Sequence, residues 1–312
     1  MIISASRRTD IPAFFSEWFM NRMEAQYAYV RNPMNIHQIS KINLMPSIVD
    51  CIVFWSKNPK PIINKLDTLN DYMYYFQFTL NAYHKDFETN LPSLDERIQT
   101  FQALSALIGR QRVIWRYDPI ILNNQYSINW HIEKFEYIAK QLCNYTEKVT
   151  ISFIDLYPKI SNNIKRQTIF ELSYVQKNTI AKYLSEIAHS YHLKIDTCAE
   201  DIDLSAYGMD HARCIDDKLI AKLLDCSIDA DKDKNQRLEC GCVASIDLGF
   251  YNTCQNGCTY CYANHNADVR KRNFEAYDSS SPLLCSQVAE LDKITERKVK
   301  SQRNMQLRLF NM

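Results

Sequence analysis

Ile2-Ile-Ser-Ala-Ser6-Arg7-Arg8-Thr9-Asp10-Ile11-Pro12 sets the pattern for the chain. The run from Ile2 to Ser6 has the length and apolar content of a short buried strand. Arg7, Arg8 and Thr9 end it with polar groups. Asp10 can then cap a helix, and Pro12 suits a first helical turn, where a missing N–H goes unnoticed. The unit is strand, polar rim, helix.

Outward from this stretch the unit repeats. Cys51-Ile-Val-Phe-Trp55 reads as a strand, followed by Ser56, Lys57 and Asn58 and a helical stretch from about Pro61. Met73 to Thr79 is a strand rich in Tyr and Phe, with Asn81 after it. Ser93-Leu-Asp-Glu96 is a capping box that opens a helix to about Ile108. Val113-Ile-Trp-Arg116-Tyr117 is the next strand, with Arg116 and Asp118 at its end. A helix over about Ser127–Leu142 leads to a strand from Val149 to Ile154, then Asp155. Ser173 and Gln176 form a second capping box, and that helix reaches about His189. Leu193 to Thr197 closes the series, followed by Cys198 and Glu200. A hairpin is expected near Tyr27–Asn43.

About six strands alternate with helices, which implies a parallel sheet. Right-handed crossovers allow an open doubly wound sheet or a barrel. The expected fold is α/β, a partial TIM-like β/α barrel over residues 1–200, with a cysteine-rich extension over 201–312 packing on it. Asp225 to Glu239 reads as a polar surface loop, and an amphipathic helix is expected near Val288–Ser301. Every strand end carries polar groups on the carboxyl side, where such sheets place their sites. Lys57, Arg116, Asp118 and Asp155 are therefore candidate cofactor contacts on position alone. Strand-end solvation is the plainer reading of any one of them.

The chain has 312 residues, 46% of them apolar, and a net charge of +1. A sizeable core is possible, and general attraction to nucleic acid or anionic lipid is not expected. No apolar run approaches the ~18 residues of a membrane span, and no signal-type stretch opens the sequence. The expectation is a cytoplasmic protein with no membrane association.

Eleven cysteines are many for a reducing compartment. Cys51 and Cys143 stand apart, and most others crowd between Cys198 and Cys261. Crowding favours metal ligation over a disulfide framework. Cys254-Gln-Asn-Gly-Cys258-Thr-Tyr-Cys261 supplies three thiolates from one loop. A cubane 4Fe–4S cluster ordinarily takes four, so a set of three leaves one iron open. Gly257 lets the loop bend where a side chain would crowd the cluster. Zinc, which prefers four ligands in paired short gaps, fits this triple poorly. Cys198, Cys214, Cys240 and Cys242 make a second set of four, suited to an auxiliary 4Fe–4S cluster or a structural zinc, with unrelated buried thiols as the alternative. Cys226 and His211 are possible substitutes in that set. His189 and His192 suit a helix C-terminus better than a metal.

The segment from Ile246 to Asn264 resembles the cluster-binding strand and loop of radical S-adenosylmethionine enzymes. The resemblance implies that Cys254, Cys258 and Cys261 are cluster ligands and that Tyr260 lies beside the adenine of bound S-adenosylmethionine. It implies an enzyme that cleaves this cofactor reductively and starts radical chemistry on a substrate the sequence does not name. Its electrons would come from a small donor such as flavodoxin or ferredoxin. The whole chain is also similar to a bacterial family of unknown function, whose members begin like Ser4 to Pro12 and end with this cysteine cluster. Two features depart from the radical enzymes: the loop follows the strand series instead of the first strand, and no glycine-rich stretch follows the second strand. An extra strand within Ala244–Phe250 would deliver the loop to the same rim. The alternative class is a non-enzymatic iron–sulfur or zinc protein acting as a redox sensor or electron carrier.

Overall fold

A computed structural model describes residues 1–304. Its centre is a sheet of eight strands in the order Ile246–Asp247, Ile2–Ala5, Cys51–Ser56, Tyr74–Thr79, Val113–Ile120, Lys148–Phe153, Lys194–Thr197 and Asp210–His211. Every neighbouring pair is parallel. The six strands expected from the sequence are the inner six, in sequence order. The two outer strands do not pair with each other among the described residues, so the ladder is a large parallel sheet flanked by helices.

The crossovers follow from local chemistry. Asp10 caps the short helix Ile11–Phe14 by accepting from the Ala13 N–H at 3.1 Å. Capping boxes open Leu94–Ile108 at Ser93 and Glu96, and Tyr174–Ser190 at Ser173 and Gln176. Ser127 caps Ile128–Leu142. The helices bury their apolar faces on the sheet. Trp115 stacks on Phe135 of a crossover helix at 4.8 Å, and Phe54 stacks on Phe76 across two strands at 4.7 Å. Truncating a fully buried Trp115 would cost about 3–5 kcal/mol.

The hairpin forms, with Tyr27–Asn32 antiparallel to Asn35–Asn43. The amphipathic helix expected near Val288–Ser301 does not. That segment holds the exposed strand Lys293–Glu296, which adds parallel to Asn35–Asn43 with Ile294 opposite Ile39. An open hairpin edge offered its backbone a ladder, and Val288 and Leu291 stay exposed with no surface for a helical stripe to bury against. Helices Asp217–Leu224 and Ala267–Glu275 were not foreseen. Between Asp225 and Glu239 the chain is loop apart from the short strand Ser227–Ile228. No helix among the described residues is long and apolar enough to cross a membrane.

Candidate functional site

The strand Ile246–Asp247 decides where the cysteine loop lands. It lies parallel to the first strand, with Ile246 opposite Ile3 and Asp247 opposite Ser4. Asp247 then accepts four hydrogen bonds, from Ser4 Oγ at 2.9 Å, Ser6 Oγ at 2.6 Å, and the N–H groups of Arg7 and Gly249 at 2.9 Å each. Gly249 has no substitute here, because a Cβ would stand 1.9 Å from Ser6 Oγ. The chain turns over the carboxyl ends of the strands and enters the loop that carries Cys254, Cys258 and Cys261.

That loop is tied down on several sides. The Cys254 N–H donates to Asn264 Oδ1 at 2.9 Å. Asn256 Nδ2 donates to Asp10 Oδ2 at 2.9 Å, and the same oxygen accepts from the Lys57 N–H at 2.9 Å. One carboxylate therefore fastens the first rim, the second rim and the cysteine loop together. Asn90 takes the carbonyls of Gln255 and Asn256 at 2.7 and 3.1 Å, and Asn163 takes that of Thr259 at 2.8 Å. Gly257 adopts a φ of +72°, as the bend between the cysteines requires.

Below the loop is a buried charge cluster. Glu88, 1% exposed, accepts from Lys57 Nζ at 2.8 Å, from Arg97 Nη1 at 3.4 Å and from the Tyr260 hydroxyl. Burial pushes the Glu88 carboxyl up, but Lys57 and Arg97 outweigh it and hold the pKa below the ordinary value. Lys57 Nζ lies 5.5 Å from the centroid of the Tyr260 ring. Lys57 and Tyr260 thus meet beside Cys258, as members of one network rather than as free side chains.

Two members of the second cysteine set meet. Cys198 and Cys214 have sulfurs 3.3 Å apart. Cys242 Sγ accepts from the Ile215 N–H at 3.4 Å. Arg116 donates to Cys214 Sγ at 2.7 Å through Nη1 and grips Asp118 with Nε at 3.1 Å and with Nη2. Ser152 donates to the other Asp118 oxygen. Tyr75 and Gln77 both hold the Cys214 carbonyl at 2.7 Å.

All seven cysteines of the two sets line one cavity of about 840 Å³. Lys57, Arg116, Asp118, Asp155 and Tyr260 line it too. Asp155 is the least enclosed of these and pairs with Arg237 at 2.9 Å. Cys226 and His211 do not reach the cavity wall, and the eleven cysteines form no disulfide. His189 stands in the last turn of Tyr174–Ser190, and His192 follows it. As they stand, no group of three or more His, Cys, Asp or Glu side chains among the described residues is spaced to close on a single metal ion. Burial pushes the Cys258 thiol up to about 12, so a metal binding there must displace its proton.

Several members of the site were invisible in the sequence. Nothing in the sequence marks Glu88 and Arg97 as site residues, and Asp247 acts through Ser4, Ser6 and Arg7, in and just after a strand more than two hundred positions away. Trp55 reads as strand core but stands at the cavity wall.

The fold and the site define a parallel α/β protein with two cysteine groups around one cavity at the strand ends. Residues 2–263 match a family described as a domain of unknown function (DUF1848), and the chain belongs to that family. No curated protein and no solved structure matches it.

Proposed function

We propose that this protein is a cytoplasmic radical S-adenosylmethionine-type enzyme built on a partial β/α barrel, with a 4Fe–4S cluster held by Cys254, Cys258 and Cys261. The observation that carries this reading is one loop presenting three unbridged cysteines to a large cavity beside Lys57 and Tyr260. The donor set fits the group: three thiols leave one iron for a ligand from the cavity. When bound, the cluster would supply the electron that splits S-adenosylmethionine into methionine and a 5′-deoxyadenosyl radical. A small electron donor such as flavodoxin or ferredoxin would reduce it.

The residues of the chain have separable duties in this reading. Asp10 and Asn256 fix the loop. Glu88 holds Lys57 and Tyr260 in place, so that an ammonium and an aromatic face flank the triad. Arg116, Asp118 and Ser152 line the opposite wall and would contact cofactor or substrate there. The set of Cys198, Cys214, Cys240 and Cys242 offers four thiols, enough for an auxiliary 4Fe–4S cluster or a structural zinc. The cavity between the two sets favours an enzyme over an electron carrier or sensor, which needs no space for a small molecule.

The test is anaerobic reconstitution with iron and sulfide, followed by reduction with dithionite in the presence of S-adenosylmethionine. 5′-Deoxyadenosine should form. A loaded, reducible cluster that neither binds nor cleaves the cofactor would make the protein an electron carrier or sensor instead.

A further inference from the structure

The opening Arg7-Arg8 pair has no duty in the reading above, and its side chains are less closely paired with carboxylates than Lys57, Arg116 and Arg237 of the same cavity. Lys57, Arg116 and Arg237 each have a carboxylate oxygen within 3.1 Å. The nearest carboxylate to the Arg7 guanidinium is Asp233 at 3.9 Å, and Arg7 Nη2 is buried without any hydrogen-bond partner. Arg8 reaches only the Gly249 carbonyl, at 3.5 Å. Both guanidiniums lie over aromatic rings on the cavity wall, Arg7 over Trp55 and Arg8 over Tyr251, each 5.2 Å from the centroid. An aromatic shelf orients a guanidinium and leaves its N–H edge free for a planar or tetrahedral acceptor.

The other unmet polar atoms of this wall point the same way. Trp55 Nε1 and Thr9 Oγ1 are buried and unpartnered. Arg7 Nη2 carries two N–H groups, so with Trp55 and Thr9 it can donate up to four hydrogen bonds, two of the three groups being donor-only. A ligand that satisfies this set must bring acceptor oxygens, and a guanidinium with its nearest carboxylate at 3.9 Å asks for a negative one. Arg7 shares the cavity wall with Cys214, Cys240 and Cys242. Lys57 and Tyr260 face the triad at the other side.

We propose that Arg7, seated on Trp55 between the two cysteine sets, is the anchor for an oxyanion carried by the substrate, a carboxylate or a phosphate. The oxyanion site stands on geometry alone. Only its assignment to a substrate rests on the enzyme reading.

Anaerobic thermal denaturation of the full chain tests this, with inorganic phosphate, malonate and the neutral control malonamide titrated separately. Phosphate or malonate should raise the midpoint saturably, malonamide should not, and the anion that acts names the class. R7Q should shift the response to about thirtyfold higher concentration, the loss expected when one partner of a buried charged hydrogen bond is removed. R7K should keep part of the response, and W55F should weaken it by a smaller step. These two variants carry the test if R7Q does not fold. Absence of response to both anions, or equal responses in the wild type and R7K, overturns the site. Displacement of the anion by S-adenosylmethionine, together with weaker cofactor binding in R7K, would assign Arg7 to the cofactor's carboxylate and overturn the substrate assignment. Because the readout is binding, failure of the radical chemistry leaves this test intact.

Discussion

The hydroxyl of Ser6 donates to Asp247 at 2.6 Å across 241 positions of sequence. This bond, with those from Ser4 and Arg7, fixes the cysteine-bearing strand to the first strand. Asp247→Ala would leave two hydroxyls and two backbone N–H groups without their acceptor. The expected loss is about 2–4 kcal/mol, since each abandoned donor costs on the order of 1 kcal/mol or more. Urea unfolding should show it, and iron retention after reconstitution should fall in parallel. Wild-type stability in this variant would mean that the strand is held by its ladder alone.

The two cysteine sets predict divisible metal content. Reconstituted wild type should hold roughly eight irons if both sets carry cubane clusters. Cys258→Ala should remove about half of the iron and all cofactor cleavage, and Cys240→Ala should remove the other half and leave some cleavage. Iron and sulfide analysis of the three proteins decides this. Zinc in place of half the iron would make the second set structural.

Glu88 neutralises two buried cations, Lys57 and Arg97. Glu88→Gln keeps the shape and removes the charge, so both cations remain largely buried with only a dipole opposite. Breaking a buried pair in this way costs about 3–5 kcal/mol. The denaturation midpoint should drop accordingly at neutral pH. A change below the error of the measurement would show that water or a rotated carboxylate compensates.

His131 gives the protein an acid-labile core contact. Its imidazole is closed between the Tyr117 hydroxyl and the Ile121 carbonyl, both at 2.8 Å. A neutral ring with its proton on Nε2 satisfies both partners. Burial pulls the pKa down to about 4, against about 6.5 in an unfolded chain. Between those values the unfolded state binds the proton and the folded state does not, so stability falls as pH falls through the window and this group adds no slope above it. The loss between pH 7 and pH 5 should be about 2 kcal/mol. Unfolding curves of His131→Gln at the two pH values should lack that difference. An unchanged slope would place the acid sensitivity elsewhere.

Much of this architecture was legible because local signals agreed with the global pattern. The strands had continuous apolar runs, the helices had caps at Asp10, Ser93, Ser127 and Ser173, and the rim residues fell where parallel strands end. Of the cysteines grouped by spacing, Cys198 and Cys214 bring their sulfurs to 3.3 Å of each other. What stayed hidden were pairings set by tertiary contact alone. Nothing near Glu88 announces Lys57, Arg97 and Tyr260 as its partners. The segment around Ile294 carried a helical spacing, yet the unpaired edge of the hairpin outweighed it.

The strand order has a consequence for the timing of biogenesis. Ile2–Ala5 leaves the ribosome more than two hundred residues ahead of its outer neighbour Ile246–Asp247. At ~5–20 residues per second the nascent sheet keeps that edge bare for on the order of tens of seconds. The cysteine loop follows the late strand, so metallation of the triad can begin only after all eight strands of the large sheet are made. Any factor that delivers iron or sulfide would therefore meet a scaffold whose main sheet is already synthesised, and a chaperone shielding the bare edge would have to leave first.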